Sequence, residues 1–250
     1  MRLVRFLVRE RPAWGILNND EVAELDGDVF SSFKTPRTCH LASAVKLMAP
    51  CIPSKVVAVG LNYRDHAKEL GLAVPEEPII FLKPPTTVVG PGEAIHYPAM
   101  SAQVDYEAEL GVVVRDRVRN IDPEEARDHL LGYTCANDVT ARDLQKKDGQ
   151  WTRAKSFDTF CPVGPWIETD LDPGDLLVES YLNGKRKQSS RTSQFIFPVD
   201  VLVSFISRIM TLNPGDLIIT GTPAGIGPMK PGDEIEVRIE GIGSLKNVVR

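Results

Sequence analysis

Three stretches of the chain carry residue types that could hold a hard metal ion and move a proton: Asp105-Tyr106-Glu107-Ala108-Glu109-Leu110, Asn137-Asp138-Val139-Thr140-Ala141-Arg142-Asp143 and Asn62-Tyr63-Arg64-Asp65-His66-Ala67-Lys68-Glu69-Leu70. The apolar run from Leu110 to Val114 predicts a strand. Strand side chains alternate with period two, so Glu107 and Glu109 project from one face. Two carboxylates buried side by side repel unless a cation neutralises them. The pair therefore reads as half of a site for an oxygen-seeking divalent ion. Asp138 follows the apolar segment Leu130-Leu131-Gly132-Tyr133, at a strand end where ligands are commonly mounted, and is the candidate third ligand. The competing readings are a solvated acidic strand face for the glutamates and a cap on the following segment for Asp138.

Asn62 as N-cap and Gly71 as left-handed terminator predict a short helix over residues 63 to 70. On it His66 and Glu69 lie at i and i+3 and can meet. Glu69 would then hold the imidazole tautomer and let His66 act as a general base, the alternative being a plain surface pair. Lys155, in Trp151-Thr152-Arg153-Ala154-Lys155-Ser156, could offset acidic charge and bind an oxyanion, or simply be solvated. The segment Gly221-Thr222-Pro223-Ala224-Gly225-Ile226-Gly227 is glycine-rich after an apolar strand, yet it lacks a Gly-Lys-Ser/Thr ending and its prolines forbid a following helix. It reads instead as a tight turn presenting Thr222 to a carboxylate. His40, His96 and His129 lack ligand-like neighbours and read as ordinary residues.

The elements that must position these groups are mostly strands. Residues 1–50 alternate short apolar segments and read as a small β-rich N-terminal domain; Pro50 and Pro53 mark its end, and residues 51–250 form the larger domain. Residues 73 to 98 are dense in proline and glycine, which predicts a long excursion over a site. Asp122-Pro123-Glu124-Glu125 opens a helix ending near His129, and an apolar stripe over Val201 to Met210 predicts another. Three Pro-Gly-Asp turns, at residues 173, 214 and 231, each lead into a strand-like run.

Composition narrows the partners. With 250 residues, 25% of them charged, and a formal net charge of -5, the chain offers no basic field for nucleic acid or an anionic membrane, so a small molecule is the expected partner. No apolar run reaches the length of about 18 residues that spans a bilayer, and the start lacks a secretion signal, which predicts a cytoplasmic protein. Cys39, Cys51, Cys135 and Cys161 show no CxxC spacing and read mostly as reduced core residues.

As a set, these residues resemble the fumarylacetoacetate hydrolase family. The match runs through Val59-Gly60-Leu61-Asn62-Tyr63-Arg64-Asp65-His66, Phe81-Leu82-Lys83-Pro84, the two acidic stretches, Trp151 to Ser156 and Thr220-Gly221-Thr222-Pro223, in the family's order over about residues 55 to 245. The resemblance implies a mainly β fold with some α, a mixed β-sandwich roll following the small N-terminal domain, assembled as a homodimer. It implies magnesium or manganese held by the positions matching Glu107, Glu109 and Asp138. It also implies that His66 and Glu69 form a dyad on a lid helix, that Lys155 contacts substrate, and that Gln145 and Thr222 line the pocket. Within the family the chain is similar to acylpyruvate hydrolases, oxaloacetate decarboxylases and isomerase/decarboxylases. Leu61 stands where acylpyruvases similar to the mitochondrial type carry arginine, a departure that leans toward the isomerase/decarboxylase side.

The expected chemistry follows. Three carboxylates around a doubly charged ion leave net negative charge, so an anionic 2-oxo acid needs Lys155 and Arg142 as well. The ion acts as an electron sink, and hydrolysis, decarboxylation and keto-enol isomerisation all pass through an enolate. The first expectation is isomerisation or decarboxylation of 2-hydroxyhepta-2,4-diene-1,7-dioate type compounds, or decarboxylation of oxaloacetate. The alternatives are C–C hydrolysis of an acylpyruvate or fumarylpyruvate, a non-catalytic binding module for a metal or 2-oxo acid, and an inert β-rich protein.

Overall fold

Apolar residues fall on both parities of the segments near 110 and 135, the pattern of strands covered on both faces. Ala108–Val114 and Leu130–Asn137 are accordingly buried along their whole lengths and pair antiparallel, Ala108 opposite Asn137 and Val112 opposite Tyr133. The computed structural model describes residues 1–8, 10–35 and 38–250. Among them the main sheet runs in the order Cys39–Leu41, Glu21–Glu24, Arg11–Asn18, Arg2–Val8, Cys161–Glu168, Leu130–Asn137, Ala108–Val114, Leu217–Ile219, Val56–Gly60 and Ile79–Lys83. Leu217–Ile219 runs parallel to Val56–Gly60 while its other neighbour is antiparallel, so the sheet is mixed.

One face of this sheet packs against a five-stranded sheet, ordered Ala94–Ile95, Gly243–Val249, Glu234–Ile239, Leu177–Leu182 and Lys185–Arg191. Between them Val57, Leu110, Val112 and Tyr133 meet Val178, Val237 and Ile239. The helix Val199–Ile209 joins this core through Leu202, Val203 and Ile206; of the apolar stripe expected over Leu202, Phe205, Ile206, Ile209 and Met210, Ile209 is exposed while Leu202 and Ile206 are fully buried. Burying each such side chain contributes about 2 kcal/mol. The mainly β sandwich architecture matches the expected fold class.

The N-terminal strands have a small core of their own, Val4, Phe6, Ala13, Leu17 and Val22. They also continue the main sheet, because Arg2 and Leu3 pair with Glu168 and Ile167. Cys51, Cys135 and Cys161 are buried, Cys39 is exposed, and all are free thiols. No helix among the described residues is long and apolar enough to cross a membrane.

Three sequence expectations change. Asn62 is not a helix cap: its side chain is buried and bonds to Phe197 and to the Thr220 carbonyl, so a tertiary contact outcompetes the local one. The helix starts after Tyr63, spans Arg64–Leu70 and ends at Gly71 with φ 65°, as expected. The excursion over residues 73 to 98 is partly scaffold, since Ile79–Lys83 pairs antiparallel with Val56–Gly60 at the edge of the main sheet. The segment Pro123–His129 starts behind Asp122 as expected, with Asp122 N donating to Glu125 Oε2 at 3.0 Å, but it forms as a 3-10 helix.

The feature that positions the chemistry is a shared change of sheet. Val104–Tyr106, Thr140–Ala141 and Gly227–Met229 make a small three-stranded sheet, and each is joined in sequence to a strand of the main sheet. Glu107, Asp138 and the loop from Thr220 to Ile226 occupy the junctions.

Candidate active site

At its junction Glu107 is held through its peptide: its N–H donates to Asn137 Oδ1 and its carbonyl accepts from Asp138 N, each at 2.9 Å. The next N–H, that of Ala108, donates to Gln188 Oε1 at 3.0 Å. With the backbone so fixed, Glu107, Glu109 and Asp138 each offer a ligand oxygen within 4.8 Å of the others. All three are buried, which removes the reading of a solvated acidic face.

Cations from distant segments surround the acids. Lys155 Nζ donates to Glu107 Oε2 at 2.9 Å and to Asp138 Oδ2 at 2.5 Å. Lys83 Nζ donates to Asp138 Oδ1 and, at 3.2 Å, to the Val139 carbonyl. Arg142 bridges Asp105, at 2.9 Å, and Glu107, and donates to Gln145 Oε1. Both Asp138 oxygens thus serve lysines, and the helix Arg142–Asp148 has no side-chain cap, so the cap reading of Asp138 fails.

The two glutamates differ in electrostatics. Burial opposes ionisation of Glu107, but Lys155 and Arg142 outweigh it and hold its carboxyl well below the usual range. For Glu109 burial and the nearby charges of Asp138 and Glu107 push the other way, well above the usual value. Its side chain accepts from Gly221 N at 2.7 Å and, among the described residues, meets no cation. Lys155, although buried, is held charged by Asp138 and Glu107. A buried all-oxygen trio with one carboxyl left uncompensated fits magnesium or manganese, which prefer such donors. Glu107, Glu109 and Asp138 are the residues that would hold the ion.

The helix Arg64–Leu70 brings the base. His66 Nδ1 lies 2.8 Å from Glu69 Oε2, and Glu69 Oε1 accepts from Gly225 N at 3.0 Å. His66 is nearly buried, unlike a surface pair. With Nδ1 engaged, Nε2 is the free ring nitrogen.

A cavity of about 300 Å³ is lined by His66, Glu107, Glu109, Asp138, Arg142, Gln145, Lys155 and Thr222. The sequence-derived residues therefore share one space, with Glu69 behind His66. Thr222 departs from its expected partner: its hydroxyl donates to the Ala108 carbonyl, and Gly221 N contacts the carboxylate instead. The rest of the wall is mostly apolar, from Leu61, Leu70, Leu72, Phe81 and Trp151, with Lys146 as a further cation. Leu61 has φ 51°, a left-handed conformation that costs a non-glycine residue about 1 kcal/mol or more. Trp151 stands edge-on to Phe81 and lies over Gly60, where a Cβ would come within 2.7 Å of the indole. A larger cavity, about 720 Å³, lies among the N-terminal strands, but its one acid, Glu24, is already paired with Arg11 and His40.

Sequence reasoning missed Lys83, Asn137, Trp151 and Gln188 as parts of this site. Lys83 carried a signal, a lysine closing the apolar run Ile79-Ile80-Phe81-Leu82. Gln188, in the polar stretch Lys185-Arg186-Lys187-Gln188-Ser189, carried none.

A family model described as Fumarylacetoacetate (FAA) hydrolase C-terminal matches residues 55–250, and one described as Rv2993c-like, N-terminal, matches residues 1–50. An uncharacterised protein of Archaeoglobus fulgidus is 56% identical over 226 residues, which cover 90% of this chain and 88% of that one. A mitochondrial oxaloacetate tautomerase of Xenopus laevis is 43% identical over 220 residues, covering 83% of this chain and 69% of the relative. The crystal structure of 2-hydroxyhepta-2,4-diene-1,7-dioate isomerase from Mycobacterium marinum superposes with a TM-score of 0.93 at 45% identity, covering 100% of this chain and 98% of the other. The chain is an enzyme of the fumarylacetoacetate hydrolase family.

Proposed function

We propose that this enzyme depends on a divalent metal and enolises a small 2-oxo acid. The favoured reactions are isomerisation or decarboxylation of 2-hydroxyhepta-2,4-diene-1,7-dioate type compounds, or decarboxylation or keto-enol exchange of oxaloacetate. One observation carries the reading: an oriented imidazole and an under-neutralised carboxylate trio line the same cavity. The isomerase and tautomerase named among the relatives support it.

Glu107, Glu109 and Asp138 would hold magnesium or manganese, which when bound would supply positive charge that stabilises an enolate. Glu69 fixes His66 so that Nε2 takes the proton from C3 of the substrate, stabilises the imidazolium, and lets it return the proton at the new position. Lys155 and Arg142 bind the substrate's carboxylate or oxyanion, with greater effect in a cavity that excludes water. Gln145 and Thr222 orient it. Leu61, Leu70, Leu72, Phe81 and Trp151 suit a flat unsaturated tail.

A second reading, hydrolysis of an acylpyruvate or fumarylpyruvate with His66 activating water, draws support from Glu69, whose side chain is 36% exposed and open to solvent. A binding module without turnover would have no need of the dyad. The homodimer, the cytoplasmic location and the division into residues 1–50 and 51–250 belong to the same proposal. The test is turnover of oxaloacetate, acetylpyruvate, fumarylpyruvate and 2-hydroxyhepta-2,4-diene-1,7-dioate with manganese, after chelation, and after manganese is restored. Activity should vanish on chelation and return; turnover that survives complete chelation overturns the metal reading. Fastest cleavage of an acylpyruvate overturns the choice of reaction.

A further inference from the structure

The strand Lys185–Arg191 lies at the edge of the five-stranded sheet and contributes nothing to the cavity wall. Two of its side chains nevertheless reach the elements that carry the chemistry. Gln188 is buried, and its Oε1 accepts from Ala108 N, the residue between the two glutamates. Its Nε2 donates to Thr222 Oγ1 and to the Pro223 carbonyl, both at 2.8 Å. Thr222 in turn donates to the Ala108 carbonyl at 2.9 Å, so one amide clamps the ligand strand to the loop that contacts Glu109.

Two residues further, on the same face of the strand, Ser190 Oγ donates to Asp65 Oδ2. The other oxygen of Asp65 accepts from His66 N at 2.7 Å. The loop closes the circuit: Gly225 N donates to Glu69, Tyr106 donates to the Gly225 carbonyl at 3.0 Å, and Gly225 lies so close to the Lys187 carbonyl that a Cβ has no room.

We infer that Gln188 and Ser190 are positioning residues, Gln188 for the carboxylate trio and Ser190 for the helix of the base, and that their strand fixes the spacing between the two. The inference rests on the metal and base roles proposed above. Without Gln188, the buried Ala108 N–H loses its partner at the change of sheet, where Glu107 and Glu109 take their orientation. Outer partners of this kind typically govern metal affinity by about 10- to 100-fold.

The test titrates manganese into purified protein without substrate and separately measures kcat and KM. Gln188→Met should raise the manganese Kd about tenfold or more. Ser190→Ala should leave that Kd within about twofold and lower kcat several-fold, with recovery in Ser190→Thr, which keeps the hydroxyl. If Gln188→Met does not fold, Thr222→Val, which removes the hydroxyl gripped by Gln188, should still raise the Kd several-fold. Wild-type protein that binds no manganese overturns the metal reading and this inference with it. Manganese binding that is normal in wild type and unchanged in Gln188→Met, or in Thr222→Val where that stands in, overturns the inference alone. Equal loss of manganese affinity in Ser190→Ala and Gln188→Met overturns the division of labour.

Discussion

Buried acids stand at both ends of the short strand Leu217–Ile219, and they are treated in opposite ways. At its start Asp216 accepts from Ser54 N at 2.9 Å, Ser54 Oγ at 2.6 Å, Lys55 N at 3.2 Å and Asn213 N at 2.8 Å, and pairs with the Lys55 ammonium. Past its end Glu109 has a single backbone donor and two negative neighbours. An acid serving the fold is compensated within the chain. Glu109, unlike Glu107 and Asp138, has no cation of the described residues against it, and in the proposed reading a bound ion would complete it.

Substitutions should separate the two clusters. The largest effect on turnover belongs to Glu107→Ala, which should abolish manganese binding and cut activity at least about a thousandfold, the several kcal/mol a bound cation contributes. A variant that turns over normally without metal would erase the contrast. His66→Ala should lower kcat by about 10²- to 10⁴-fold while calorimetry finds manganese affinity nearly unchanged. Matching losses in both would mean that base and cradle are not distinct.

Asp216→Asn should do the reverse, lowering stability by about 2 kcal/mol while activity per folded molecule persists, because Lys55 loses its partner. Burial opposes ionisation of Asp216, but Lys55, Ser54 and Asn213 outweigh it and hold the folded carboxyl below its ordinary value. The stabilisation is therefore complete above the unfolded pKa of about 3.9 and is lost as pH falls through the lower folded value. Thermal midpoints of wild type and Asp216→Asn should converge in acid; a constant gap would deny the charged role. The smallest effect is expected at the cavity wall. Gly60→Ala should push Trp151 away and raise KM for a long-tailed substrate about tenfold, leaving that for oxaloacetate and the manganese affinity unmoved.

What could be read from the residues follows the range of the interactions involved. His66 and Glu69 meet by helical spacing and Gly71 ends its helix by backbone preference, both local; Glu107 and Glu109 meet as expected, yet Glu107 sits at the break between Val104–Tyr106 and Ala108–Val114, where strand parity does not by itself apply. Asn62 misled because its partners, Phe197 and Thr220, are far along the chain. Lys83 and Gln188 bond across sequence separations of 55 and 80 residues, which no period or motif encodes. The edge strand Ile79–Lys83 was masked by the prolines around it, Pro78 and Pro84, which bound the strand without interrupting it.

The common crossing of three chain segments between sheets also sets where this protein can change length. One residue added between Tyr106 and Ala108, or beside Asp138, would reverse the facing of every side chain downstream in that strand and turn acids away from their partners. The exposed hairpin tip between Asn18 and Glu21 has no such register to keep and could grow at little cost. Loop grafts and affinity tags belong there, and the crossing should be left at its native count.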